Sequence, residues 1–141
     1  MTYATLNALI DRAGEAEVRQ ISDRSRAGTI DADVVAAALD DADNLINGYI
    51  GAKYALPLPG VPELVRTWAV SITRYVLHRN GAPENVVQDY RDAIAALKDV
   101  ARGSLVLPIA EGGTAPTAVT GKILAHHRKQ VFTEDKLRGW R

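Results

Sequence analysis

Four small groups of residues in this sequence could do chemistry. Asp23, Ser25 and Gly28, in the run Asp23 to Asp31, have the outline of a calcium-binding loop, with oxygen ligands at its first and third positions and glycine at its sixth. The fifth position is Ala27 and the twelfth is Val34. Without a bidentate carboxylate at the twelfth position calcium is short of oxygens, so the run reads as a polar turn into a helix capped by Asp31. The histidines are His78, His126 and His127. Zinc would need further ligands at workable spacing on a rigid frame. No Ser/His/Asp arrangement, glycine-rich phosphate loop or zincin motif is present. The sequence therefore predicts no catalysis, no metal and no cofactor.

The third group is acidic. Asp33, Asp40 and Asp43, with Asn44 and Asn47, lie opposite the apolar stripe of a helix. Spread along a solvated face, they are expected to titrate as ordinary carboxylates. The fourth group lies near the C-terminus. Lys122, Arg128, Lys129, Lys136, Arg138 and Arg141 could touch nucleic acid, but they form no stripe on a recognisable reading motif. Val131, Phe132, Leu137 and Trp140 are interleaved with these charges in a segment that cannot build a core alone. Large apolar groups with arginine companions are typical anchors on a partner surface. Arg128, Lys129, Val131, Phe132, Leu137, Arg138 and Trp140 are therefore the candidate partner-binding residues.

Helices must position these groups. Leu6, Leu9, Ile10 and Ala13 recur at helical spacing after an N-cap at Thr5. Gly14 separates them from a second short helix over Glu15 to Gln20, and a polar loop follows from Ser22 to Thr29. After Asp31, the residues Val35, Ala38, Leu39, Ala42, Leu45, Ile46, Tyr49 and Ile50 form one continuous stripe, and Gly51 fits a C-cap. Three prolines between Leu56 and Pro62 force a connector. Pro62 suits the first turn of a helix to about Arg79, with Val65, Trp68, Ala69, Ile72, Tyr75 and Val76 inward. Pro83 opens a last helix whose stripe is Val86, Val87, Tyr90, Ile94, Leu97 and Ala101, and Gly103 ends it.

The pattern is all-α: a small bundle of three main helices plus short N-terminal helices. Residues 1–103 form the helical body and 104–141 an extended tail. Leu105 to Ile109 is apolar, and the sequence leaves open whether it forms a short strand. The chain has 141 residues, of which 47% are hydrophobic and 24% charged, which fits a single globular body. It has no cysteine, hence neither disulfide nor thiolate site. No apolar run approaches the roughly 20 residues that span a bilayer. Met1 to Leu9 lacks the pattern of a signal peptide, so a soluble protein made in a cytoplasm is expected, with no membrane partner. Net charge is zero but divided: residues 1–102 carry 11 Lys+Arg against 14 Asp+Glu, and the remainder 6 against 3.

Several stretches together resemble the head–tail connector (head-completion, portal adaptor) proteins of Mu-like phages and prophages. They are Tyr3-Ala4-Thr5 with Leu9-Ile10, Ile21-Ser22-Asp23, and the run Tyr49-Ile50-Gly51-Ala52-Lys53-Tyr54-Ala55-Leu56-Pro57-Leu58. Val61-Pro62 before a helix with Arg74-Tyr75, the Arg79 to Pro83 turn, Tyr90 to Leu97, and Ala101-Arg102-Gly103 continue the likeness. So do Val131-Phe132-Thr133 and Leu137-Arg138-Gly139. The likeness is weakest from Glu111 to Gln130. It implies a virion protein of the head–tail junction without catalytic residues: a homo-oligomeric ring, usually of about twelve copies, beneath the portal. Such a ring extends the DNA channel, passes close to packaged DNA without reading its sequence, and offers a surface to the tail or its terminator. On that resemblance, Asp33, Asp40 and Asp43 are candidates to face the channel, where repulsion would let DNA slide. A small helical regulatory or adaptor protein that grips its partner through the tail is the alternative, and a DNA-binding protein a third reading.

Overall fold

In the computed structural model, which describes residues 2–109, the regular elements are five helices, and no strand occurs among the described residues. Helix α1 spans Leu6–Ala13, and the Thr5 hydroxyl accepts the Ala8 N–H at its N-terminus. Gly14, at φ 87°, turns the chain directly into α2, Glu15–Ser22. That φ is strained for any residue with a Cβ, so glycine is required there. Helix α2 runs two residues beyond its expected end. Ser22 is fully buried, and its hydroxyl accepts the Asp31 N–H, closing the loop between α2 and α3.

Helix α3 is Ala32–Ile50, with Asp31 as N-cap accepting from the Asp33 and Val34 N–H groups. Gly51 follows, but at φ −59° it is right-handed and not the left-handed cap that its type suggests. Glycine is needed for room: a Cβ there would stand 2.9 Å from the Asn47 carbonyl oxygen and 3.4 Å from Leu56. Helix α4, Glu63–Leu77, has Pro62 as its N-cap and stops two residues short of Arg79. Helix α5 is Glu84–Arg102 and ends on Gly103 in the left-handed conformation, as expected.

Helices α3, α4 and α5 pack on one another, with α1 against α2 and α4, and α2 against α3. Leu9, Val18, Ile46, Ile72, Leu77 and Leu97 are fully enclosed between them. Each large apolar side chain so buried contributes about 1.5–3 kcal/mol. Tyr75 of α4 stacks on Tyr90 of α5 with ring centroids 4.0 Å apart. Val76, expected inward, is instead exposed, and its neighbour Leu77 is buried. Helical spacing fixes the azimuth of a side chain but not how far along the axis the covering elements reach.

The core continues past Gly103. Leu105 to Ile109 is irregular, with the Ile109 N–H donating to the Leu107 carbonyl at 2.9 Å, and it pairs with no strand among the described residues. It lies on the body, with Leu107 buried and Leu105 and Ile109 against the same cluster. The Leu107 N–H donates to the Tyr54 hydroxyl at 2.9 Å.

Candidate assembly surface

The N-terminal strap and α3 together define one side of the body. Tyr3 is buried; its N–H donates to Asp43 Oδ1 at 3.0 Å, and its hydroxyl donates to Asn47 Oδ1 at 2.5 Å. Asp43 is thus removed from the solvated set to which its type assigned it: it is only 7% exposed. Burial pushes its carboxyl above the ordinary aspartate range, and nearby Asp40 adds to this, while the Tyr3 N–H opposes it. The Tyr3 phenol is raised by burial and by Asp43. Asp43 is therefore not part of the exposed acidic face on which the sequence placed it, because Tyr3 of the N-terminal strap covers its carboxylate. Asp33, Asp40, Asp41 and Asn44 remain exposed with Ala36, Ala37 and Gly48, giving α3 an outer face of acidic and small residues. Helix α3 has no Lys or Arg in its 19 residues.

A second linkage ties α2 to α4. Arg74 donates to both oxygens of Glu17, through Nε at 2.6 Å and Nη2 at 2.8 Å. That bidentate bond holds the Glu17 carboxyl below its usual range and raises the Arg74 guanidinium. His78 closes α4: its Nδ1 lies 2.8 Å from the Arg74 carbonyl oxygen, which can only accept, so Nδ1 carries the proton. Its Nε2 is 3.9 Å from Glu17. This histidine serves structure at a helix end.

The Asp23 carboxylate organises the loop from Asp23 to Asp31. It accepts the N–H groups of Ala27 at 2.8 Å and Gly28 at 2.7 Å, which hold it below the ordinary range. The oxygens that a calcium ion would take are already occupied by backbone donors. Arg26 sits at φ 58°, a conformation that costs a side-chain-bearing residue roughly 1–2 kcal/mol. Beside this loop, between α2 and the α4–α5 turn, is a cleft of about 480 Å³ lined by Ile21, Asp23, Arg24, Arg26, His78 and Arg79, among others. A shallower groove of about 370 Å³ runs between α1 and α4, past Asp11, Arg12 and Arg66. Arg12 there reaches Asp89 at 3.8 Å, and Arg66 pairs with Glu63.

Among the described residues, no three His, Cys, Asp or Glu side chains converge on a point, and no helix is long and apolar enough to cross a membrane. The candidate partner-binding residues Arg128, Lys129, Val131, Phe132, Leu137, Arg138 and Trp140 lie outside the described residues. Sequence reading missed the Tyr3–Asp43, Glu17–Arg74 and Tyr54–Leu107 links. Only the first carried a signal: Asp43 lies four residues after Leu39 and seven before Ile50, at the edge of the apolar arc.

Known proteins resemble this chain over most of its length. The family described as bacteriophage Mu, Gp36 matches residues 3–125. The Mu-like prophage FluMu protein gp36 of Haemophilus influenzae is 33% identical over 122 residues, 86% of this chain and 86% of that one. Gene product J of Escherichia phage Mu is 32% identical over 104 residues, 73% of this chain and 74% of its own.

Proposed function

This chain belongs to the bacteriophage Mu Gp36 family, and from that premise we propose that it is a structural virion protein and not an enzyme: a head–tail connector. In this reading copies close into a ring of about twelve beneath the portal, extend the DNA channel, and present a surface to the tail or its terminator. The observation that carries the reading is the family match across 3–125, on a chain whose core closes around five helices and ends on an anchored Leu107. A rigid helical wedge suits heterologous contacts around an axis, since each copy can present one face and receive another. The arm that follows Ile109 crosses to the portal or a neighbouring copy. There Phe132 and Trp140 are buried on the partner, with Val131 and Leu137 beside them and Arg128, Lys129 and Arg138 at the rim.

Deletion of residues 122–141 tests this directly. Attachment of the truncated chain to isolated portal rings is expected to fall at least about tenfold, because aromatic anchors carry most of such a contact. Undiminished attachment contradicts the proposed role of the arm. Circular dichroism should still report a folded helical body in either case, since α1 to α5 lie within residues 2–109.

A further inference from the structure

The cleft beside the Asp23 loop is basic although the helical body as a whole is acidic. Arg24, Arg26 and Arg79 line it and are exposed. Its one carboxylate, Asp23, is committed to the backbone N–H groups of its own loop. Among the described residues none of the three arginines has an ion-pair partner, and neither do Asp33, Asp40 or Asp41 on the outer face of α3. The described residues thus carry two patches of opposite sign that share no residue and have no ion-pair partner among them. The α3 face bears no basic group, and besides its carboxylates it exposes only Ala32, Ala36, Ala37, Asn44 and Gly48, so no long side chain of that face bars close approach.

We propose that the Arg24–Arg26–Arg79 cleft receives the acidic outer face of α3 from a second copy of this chain. The proposal rests on the connector reading and deepens it, by naming the two faces through which neighbouring copies meet. Because the patches differ, the contact is head-to-tail and can propagate around an axis. Exposed ion pairs add little affinity, but complementary patches fix register and exclude wrong partners. Docking also replaces the channel-facing role that the sequence suggested for Asp33 and Asp40: the structure supplies an opposite charge for this face on the chain itself. Duplex DNA is the competing occupant of the cleft. The acidic balance of the body disfavours it, and three arginines around one cleft do not make a phosphate-tracking stripe.

Two full-length variants test the pairing. Arg24→Glu with Arg79→Glu reverses the cleft and leaves the strained Arg26 in place. Asp40→Lys with Asp41→Lys reverses the face and leaves Asp33, which favours the N-terminus of α3. All four residues are exposed, so circular dichroism should match the wild type. Oligomer mass is followed with rising concentration, with and without portal rings. Each variant alone is expected to assemble at least about tenfold more weakly than wild type, and an equimolar mixture to recover assembly, because the acidic cleft of one meets the basic face of the other. Variants that assemble normally, or a mixture that fails to recover, overturn the pairing while leaving the ring intact. Loss of duplex-DNA affinity in the cleft variant with assembly unchanged overturns it in favour of a phosphate site. Altered DNA ejection by the face variant with assembly unchanged overturns it in favour of a channel lining. A wild-type chain that stays monomeric even on portal rings removes the connector reading and the pairing together.

Discussion

Asp43 is held where a carboxylate is least comfortable, against the buried Tyr3 backbone at the margin of the core. Its folded-state pKa is raised, chiefly by burial. The fold therefore favours the protonated acid, so the contribution of this group is fullest at low pH. That contribution falls as pH rises through the unfolded value and on through the raised folded one. Asp43→Asn keeps an oxygen for the Tyr3 N–H and discards the charge. The variant should match the wild type in acid, and its melting temperature should gain on the wild type as pH rises through the carboxylate range. A thermal-melt series over pH reads this difference. A gap that shrinks with rising pH would show that the ionised form is the better-held one. The same residue marks a limit of sequence reading. Its place at the edge of the apolar arc was visible, but its partner is 40 positions away, and only tertiary packing brings a strap across that edge. Asp31 and Gly103 are legible because their partners lie within a turn. Arg74 is not, since nothing local announces that it meets Glu17 57 residues away.

Segment 105–109 follows the last helix of the body and packs back on its core. Helices α3 and α5 can be read directly from three- and four-residue apolar steps, because an amphipathic helix encodes its own buried face. Leu105 to Ile109 has no such period. Its docking depends on Tyr54, which lies 53 residues earlier in a turn that the proline connector follows. Leu107→Ala should cost about 2–3 kcal/mol, toward the lower end for a buried leucine because the segment is terminal to the core. Tyr54→Phe removes only the hydroxyl that accepts the Leu107 N–H, and should cost about 1 kcal/mol. Urea unfolding measures both, and hydrogen exchange should quicken at Leu107 before it does in α4. If Leu107→Ala leaves stability unchanged, the segment is not part of the core, and the arm begins at Gly103.

On the scale of the whole molecule, the sequence divides charge between an acidic body and a basic C-terminal segment. The described residues divide it again within the body, between the arginine cleft and the outer face of α3. The all-helical class was legible from composition and periodicity. The two outward patches were only half visible: the acids of α3 stand in one stretch, whereas Arg24, Arg26 and Arg79 meet only once the α4–α5 turn folds beside the loop before α3. A chain that places opposite charges on separate faces gains little by itself and much in a closed ring, where every face is matched. Imaging of the head–tail junction in virions of a phage that carries this protein is the most direct measurement. A connector gives a closed ring of this chain, about twelve copies, between portal and tail. Particles that lack the chain, or a junction with no density for its helical body, would contradict that role.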